Sequence, residues 1–117
     1  MKVTISIDAS KASDLIQNIA NSIIPQAIEV TLNTGSNDAE IGAKEDVPVD
    51  TGNLRDSIHE LERGENYRVV GTTEDYALAI ERGTSRMPAR PFIEPQADKL
   101  QTTLPHTLEE ELKRRMP

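Results

Sequence analysis

Hydrophobic and polar residues alternate over residues 2–8. Val3, Ile5 and Ile7 fall on one side, and Lys2, Thr4, Ser6 and Asp8 on the other. A period of two with β-branched residues predicts a half-buried β-strand. Asp8-Ala9-Ser10 then offers helix N-caps. From there the period lengthens to steps of three and four: Ala12, Leu15, Ile16, Ile19, Ala20, Ile23, Ile24, Ala27 and Ile28 share one helical face. Pro25 lies inside this stripe, where it removes a backbone donor and crowds the preceding turn. The stripe nevertheless stays in phase through Leu32, Ala39 and Ala43, which predicts one long kinked helix. Its weakest stretch is Asn33-Thr34-Gly35-Ser36-Asn37, whose glycine and cap-type residues leave a loop as the alternative there.

Val47-Pro48-Val49-Asp50-Thr51-Gly52 breaks the pattern, because Pro48 biases Val47 away from helix. Asp50 or Thr51 can cap a short turn through Asn53-Leu54-Arg55-Asp56. Residues 57–62 and 67–73 read as two strands joined near Gly64-Glu65-Asn66. Tyr76 to Arg82 reads as a helical turn with Gly83 as its C-terminal cap. Pro88, Pro91 and Pro95 predict an extended, stiffened segment over Ser85 to Pro95. Pro95 can open a last helix with the stripe Ala97, Leu100, Leu104, Leu108 and Leu112, which Pro105 kinks or restarts. Glu109/Lys113, Glu110/Arg114 and Glu111/Arg115 are candidate i,i+4 ion pairs on it. The expectation is an α+β fold: a small antiparallel β-sheet packed against a long kinked N-terminal helix and a C-terminal helix.

The 117 residues suit one domain, residues 1–117. Only Phe92, Tyr67 and Tyr76 are aromatic, so the core rests on Ile, Leu, Val and Ala and is thin. Burial against copies of itself would help such a core. The net charge of −7 argues against a non-specific nucleic-acid binder, which needs a basic face. No cysteine is present, which excludes disulfides and thiolate chemistry. The longest apolar run, Tyr76 to Ile80, is far short of the roughly 18 residues a membrane helix needs. Nor does the N-terminus read as a signal peptide, and a cytoplasmic protein is expected.

Candidate chemistry is sparse. Asp50-Thr51-Gly52 matches the aspartic-protease signature, and a homodimeric retroviral-type protease using Asp50 is the enzyme alternative. Helical stripes over half the chain, Pro48 before the motif and Asn53 after it favour a structural turn made by Asp50, Thr51 and Gly52. His59 and His106 sit in different elements with no third ligand nominated by spacing, so no metal or catalytic role is assigned. Scattered glycines form no phosphate cradle, and no cofactor is expected. The most unusual stretch is Arg82 to Phe92, in which Arg82, Arg86 and Arg90 stand with no acid between them beside the only Phe. It reads either as a surface loop that tucks Phe92 into the core or as a protein–protein contact, since arginines and aromatics anchor interfaces. The acids Asp38, Glu40, Glu45, Asp46 and Asp50 are a complement on a neighbouring copy, in a head-to-tail contact that can close a ring.

Three blocks in order carry a family resemblance. Pro48-Val49-Asp50-Thr51-Gly52 with Leu54-Arg55 and Ser57-Ile58, then Tyr76-Ala77, Ile80-Glu81 and Gly83-Thr84, then Pro88-Ala89-Arg90-Pro91-Phe92-Ile93 with Pro95, together resemble the bacteriophage tail-completion, or head–tail joining, proteins. Ala79 and Arg82 stand where that family commonly has aromatics. The resemblance implies a structural virion subunit without enzyme activity, assembled in the bacterial host cytoplasm. It implies a ring, typically six-membered, at the neck between head and tail. The implied partners are other copies, the connector or stopper, and the tail terminator or tube, with DNA crossing the lumen unread and no membrane involved. A stopper or terminator subunit of the same neck is the alternative within this class. The matching positions nominate Arg55, Glu81, Arg90 and Phe92 as interface candidates, with Glu81 and Arg90 as a buried or interfacial ion pair and Phe92 as the anchor; Arg82 and Arg86 join them from the arginine stretch.

Overall fold

Helix α1 (Ser10–Asn18) runs through a π-helical turn (Ile19–Ile23) into α2 (Ile24–Asp46). This is a computed structural model, and it describes residues 10–48 and 52–117. Asn18, Ile23 and Ile24 all keep right-handed helical dihedrals, so the three segments form one continuous helix. The disturbance expected at Pro25 takes the form of the wider π turn immediately before it. The strand expected over residues 2–8 lies outside the described residues, as do Asp50 and Thr51.

The buried face of α2 is Ala27, Thr31, Gly35, Ala39 and Ala43, a strict spacing of four. Helix α5 (Glu94–Arg115) lies antiparallel along this seam of small residues, with Leu100 and Leu104 over Gly35 and Gln96 over Gly42. A Cβ on Gly35 would stand 2.6 Å from Leu104 Cδ2. Gly35 is therefore the close-approach point of two helices, and 33–37, the weakest stretch of the predicted helix, is helical rather than the alternative loop. Pro105 sits inside α5, which neither stops nor restarts there. The α5 leucines are only half-buried and Ala97 is exposed, while Gln96 and Glu111 are buried. Of the predicted ion pairs, Glu109–Lys113 forms at 2.9 Å and Glu111 bonds Arg115. Glu110 instead pairs with His106, and Arg114 reaches Glu111 at 3.3 Å.

The two long helices differ in length. At 1.5 Å per residue the α1–α2 helix is about 55 Å long and α5 about 33 Å, so the N-terminal end of the first overruns the second. The periodic stripe is accordingly covered only in part. Ile23 and Ala27 are covered, but Ile24 is exposed, Leu15 is 44% exposed and Ile16 65%. Hydrophobic periodicity identifies the face correctly; it cannot reveal that the partner helix ends first.

Past Val47 the chain turns into α3 (Gly52–Ser57), then a hairpin of β1 (His59–Arg63) and β2 (Arg68–Gly71). The strands pair antiparallel, Arg63 with Arg68 and His59 with Gly71, with an irregularity between Glu60 and Glu62. Helix α4 (Ala77–Arg82) follows and ends at Gly83. The core is Ala43, Val47, Leu54, Ile58, Ile80 and Phe92, with Val70, Ala77, Met87 and Ile93 packed on it. The expected α+β architecture is thus observed: a two-stranded antiparallel sheet between a long N-terminal and a C-terminal helix. Among the described residues, no helix is long and apolar enough to cross a membrane.

Candidate functional site

The stretch from Glu81 to Gln96 is built from the backbone outward. Gly83 has φ 76°, a left-handed conformation that a side chain resists, and it turns the chain out of α4. An added Cβ there would meet the backbone N of Ala89 at 2.6 Å and Met87 O at 2.9 Å. Thr84 and Met87 then exchange backbone hydrogen bonds of 2.8 and 3.3 Å, closing a tight turn around Ser85-Arg86. The extended segment expected from Ser85 therefore begins with a turn and becomes irregular only from Pro88. Arg90 N–H donates to Ile80 O at 2.8 Å, tying the loop back to α4.

Helix α5 has Ile93 at its N-cap position, a residue with no side chain to cap it. The cap comes from elsewhere. The Glu81 carboxylate accepts the backbone N–H of Phe92 at 2.7 Å, of Ile93 at 3.1 Å and of Glu94 at 2.8 Å. A carboxylate at these orphan donors is also favoured by the helix dipole. Burial pushes the Glu81 carboxyl up, but the three N–H donors and the Arg82 charge outweigh it and hold the group below its ordinary 4.5. Gln96 adds a second tie, donating to Asp46 Oδ2 at 2.7 Å and to Phe92 O at 3.1 Å. The clasp drives Phe92 into the core, where it is 1% exposed.

The nominated residues therefore separate. Glu81 bonds backbone, so the Glu81–Arg90 ion pair is not formed within the chain. Phe92 serves its own core, and no surface is left on it to anchor a partner. Arg82, Arg86 and Arg90 are all exposed on the loop, and Arg86 and Arg90 carry no ion pair among the described residues. Arg55, on α3, is exposed beside Asp56 at 3.6 Å. Gly52 is the first residue of α3.

A second polar cluster seats the hairpin on α2. Glu60 accepts from Ser36 at 3.1 Å and from Arg63 at 2.8 Å, and lies 3.5 Å from Arg68. Arg68 also reaches Asn33 Oδ1 at 3.0 Å. Arg63's hydrogen bond leads in lowering the Glu60 carboxyl; desolvation opposes it, and Ser36 and the charges of Arg63 and Arg68 keep it below 4.5. Sequence reasoning missed this cluster and buried Gln96. The usable signal was strand alternation, which turns Arg68 to the same inward face as Val70. Among the described residues no group of His, Cys, Asp or Glu is placed to hold a metal ion.

Fold and site together define a small α+β scaffold that presents a pinned arginine loop and an uncovered apolar helix face. A family model described as "Bacteriophage HK97-gp10, putative tail-component" matches residues 10–83. The chain belongs to this HK97-gp10-like family of phage tail components. The match takes in the long helix, the first block and the second block as far as Gly83, and ends before Thr84 and the Pro88–Pro95 block. Neither a curated protein nor a solved structure matches the chain.

Proposed function

We propose that this phage tail component joins the head connector to the tail, as one subunit of a ring at the virion neck. The observation that carries the reading is a pair of uncovered contact surfaces on a chain with a small core. Arg86 and Arg90 stand out from a loop held by Glu81, and Leu15 and Ile16 lie bare on α1. Both are surfaces that another protein covers at low cost, because loop and helix are already ordered. Asp38 and Glu45 are exposed on α2 without ion pairs among the described residues, and they complement the arginines of a neighbouring copy. Such a contact joins two different surfaces and closes only in a ring, for which six members is our reading. The connector or stopper on one side and the terminator or tube on the other are the remaining partners. DNA crosses the lumen without base recognition, in keeping with a net charge of −7. The role is binding rather than catalysis, and assembly takes place in the host cytoplasm.

Inactivating the gene by an amber mutation and imaging the lysate tests this. DNA-filled heads and finished tails that fail to join are the expected result. Normal yields of infectious, tailed virions would overturn it.

A further inference from the structure

The hairpin is an incomplete sheet. Two strands alone are marginal, and an unpaired strand edge invites another strand. The outer edge of β2 is unpaired among the described residues. Beside it runs an open groove of about 190 Å³, floored by Leu32 and Ala39 of α2, Val70 of β2, and Ile93, Leu100 and Leu104 of α5. Its exposed walls are mostly apolar, with Ser36, Arg68 and Gln96 as the polar side chains along it. A strand laid along β2 would turn every second side chain down into this groove.

The sequence holds one unassigned segment of that kind. Residues 2–8 alternate, with Val3, Ile5 and Ile7 on one side. They are joined to α1 at Ser10, and α1 makes its substantial contacts only with the π turn that continues it. From Ser10 to Leu32 the continuous helix covers about 33 Å. From Ile5 to Ser10 the chain reaches at most about 18 Å. The segment therefore cannot reach the groove of its own copy.

We infer that residues 2–8 of one copy add as a strand to the β2 edge of a second copy, with Val3, Ile5 and Ile7 seated between α2 and α5. This deepens the self-assembly reading above and rests on it. The exchange uses main-chain pairing for affinity and alternate side chains for fit. The antiparallel direction is favoured by charge, since it brings Lys2 toward Glu74, Asp75 and Glu94 beyond Gly71. The same crossing brings α1, with Leu15 and Ile16 bare, up to the neighbour.

The absence of cysteine provides the test. One tagged chain carries Ile5→Cys and a differently tagged chain carries Leu100→Cys; the two are co-expressed and treated with a short bismaleimide. A second pairing uses Leu32→Cys in place of Leu100→Cys, in case either groove variant unfolds by circular dichroism. A cross-linked product bearing both tags, lost when Ile7→Asp is added, is expected. Cross-linking within a single chain carrying both cysteines, or no cross-link in either pairing, overturns the exchange. The neck reading is scored separately on lysates, so an oligomer without the cross-link would refute the strand exchange alone.

Discussion

Glu81 and Phe92 are joined by a 2.7 Å hydrogen bond from the Phe92 backbone N–H to the Glu81 carboxylate. A side chain at the end of α4 thereby caps a helix that begins thirteen residues later. Replacing Glu81 with Ala leaves the α5 N-terminus uncapped and releases Phe92. Bonds to a charged acceptor contribute about 1.5–3 kcal/mol each but are not additive, so a total loss of about 2–4 kcal/mol is expected. Urea denaturation of Glu81→Ala against wild type measures it.

The same carboxylate sets a pH dependence. Its folded-state pKa lies below its ordinary 4.5, so the folded state favours the ionised form. The stabilisation is complete above 4.5 and is lost as pH falls through the lower folded-state value. Glu81→Gln is therefore less stable than wild type at neutral pH, and the gap narrows in acid. Thermal melts of both proteins from pH 7 down to 3 follow it; a gap that widens in acid contradicts the assignment.

Gly83 carries the left-handed turn that the clasp needs, and its missing Cβ makes room for Ala89 and Met87. Gly83→Ala combines strain with a clash against backbone, which cannot swing away. A loss on the order of 2 kcal/mol or more is expected in chemical denaturation.

Thr31 is buried in the α2–α5 seam, and its hydroxyl has no hydrogen-bond partner. Thr31→Val keeps the shape and removes the orphaned polar atom. A gain of about 1 kcal/mol is expected, read as a raised denaturation midpoint at unchanged slope.

Arg86 and Arg90 make no ion pair in the folded chain among the described residues. Arg86→Glu with Arg90→Glu should leave stability within about 1 kcal/mol of wild type. In complementation of the amber mutant the same variant should fail to restore joined particles. Restoration at wild-type titre would remove these arginines from the contact.

The residues that were legible in the sequence are those whose role is local. Gly83 as a helix end, Pro95 as a helix start and the hairpin at Gly64 all follow from backbone preferences within a few positions. The long stripe gave the right helix because every turn repeats the same signal. Gly35 is legible only as a weak point of the helix, for a non-local reason: its value lies in Leu104, nearly seventy residues away, and only the packed pair shows why a side chain is excluded. Glu81 was noticed as a charge and assigned to another charge, Arg90. Backbone N–H groups are invisible in a string of residue names, so its true partners could not be found there. Asp50 and Thr51 lie outside the described residues, and the turn read at Asp50 and Thr51 stands as an expectation.

The pinned loop also bears on how fast a complex forms. Prolines and the Glu81 clasp remove the search through backbone shapes that a slack loop performs after first touch. In the proposed contact, a partner meeting Arg86 and Arg90 finds them on a fixed mount, so the encounter is governed by long-range attraction and collision frequency. Raising the ionic strength should accordingly slow docking far more than it speeds release.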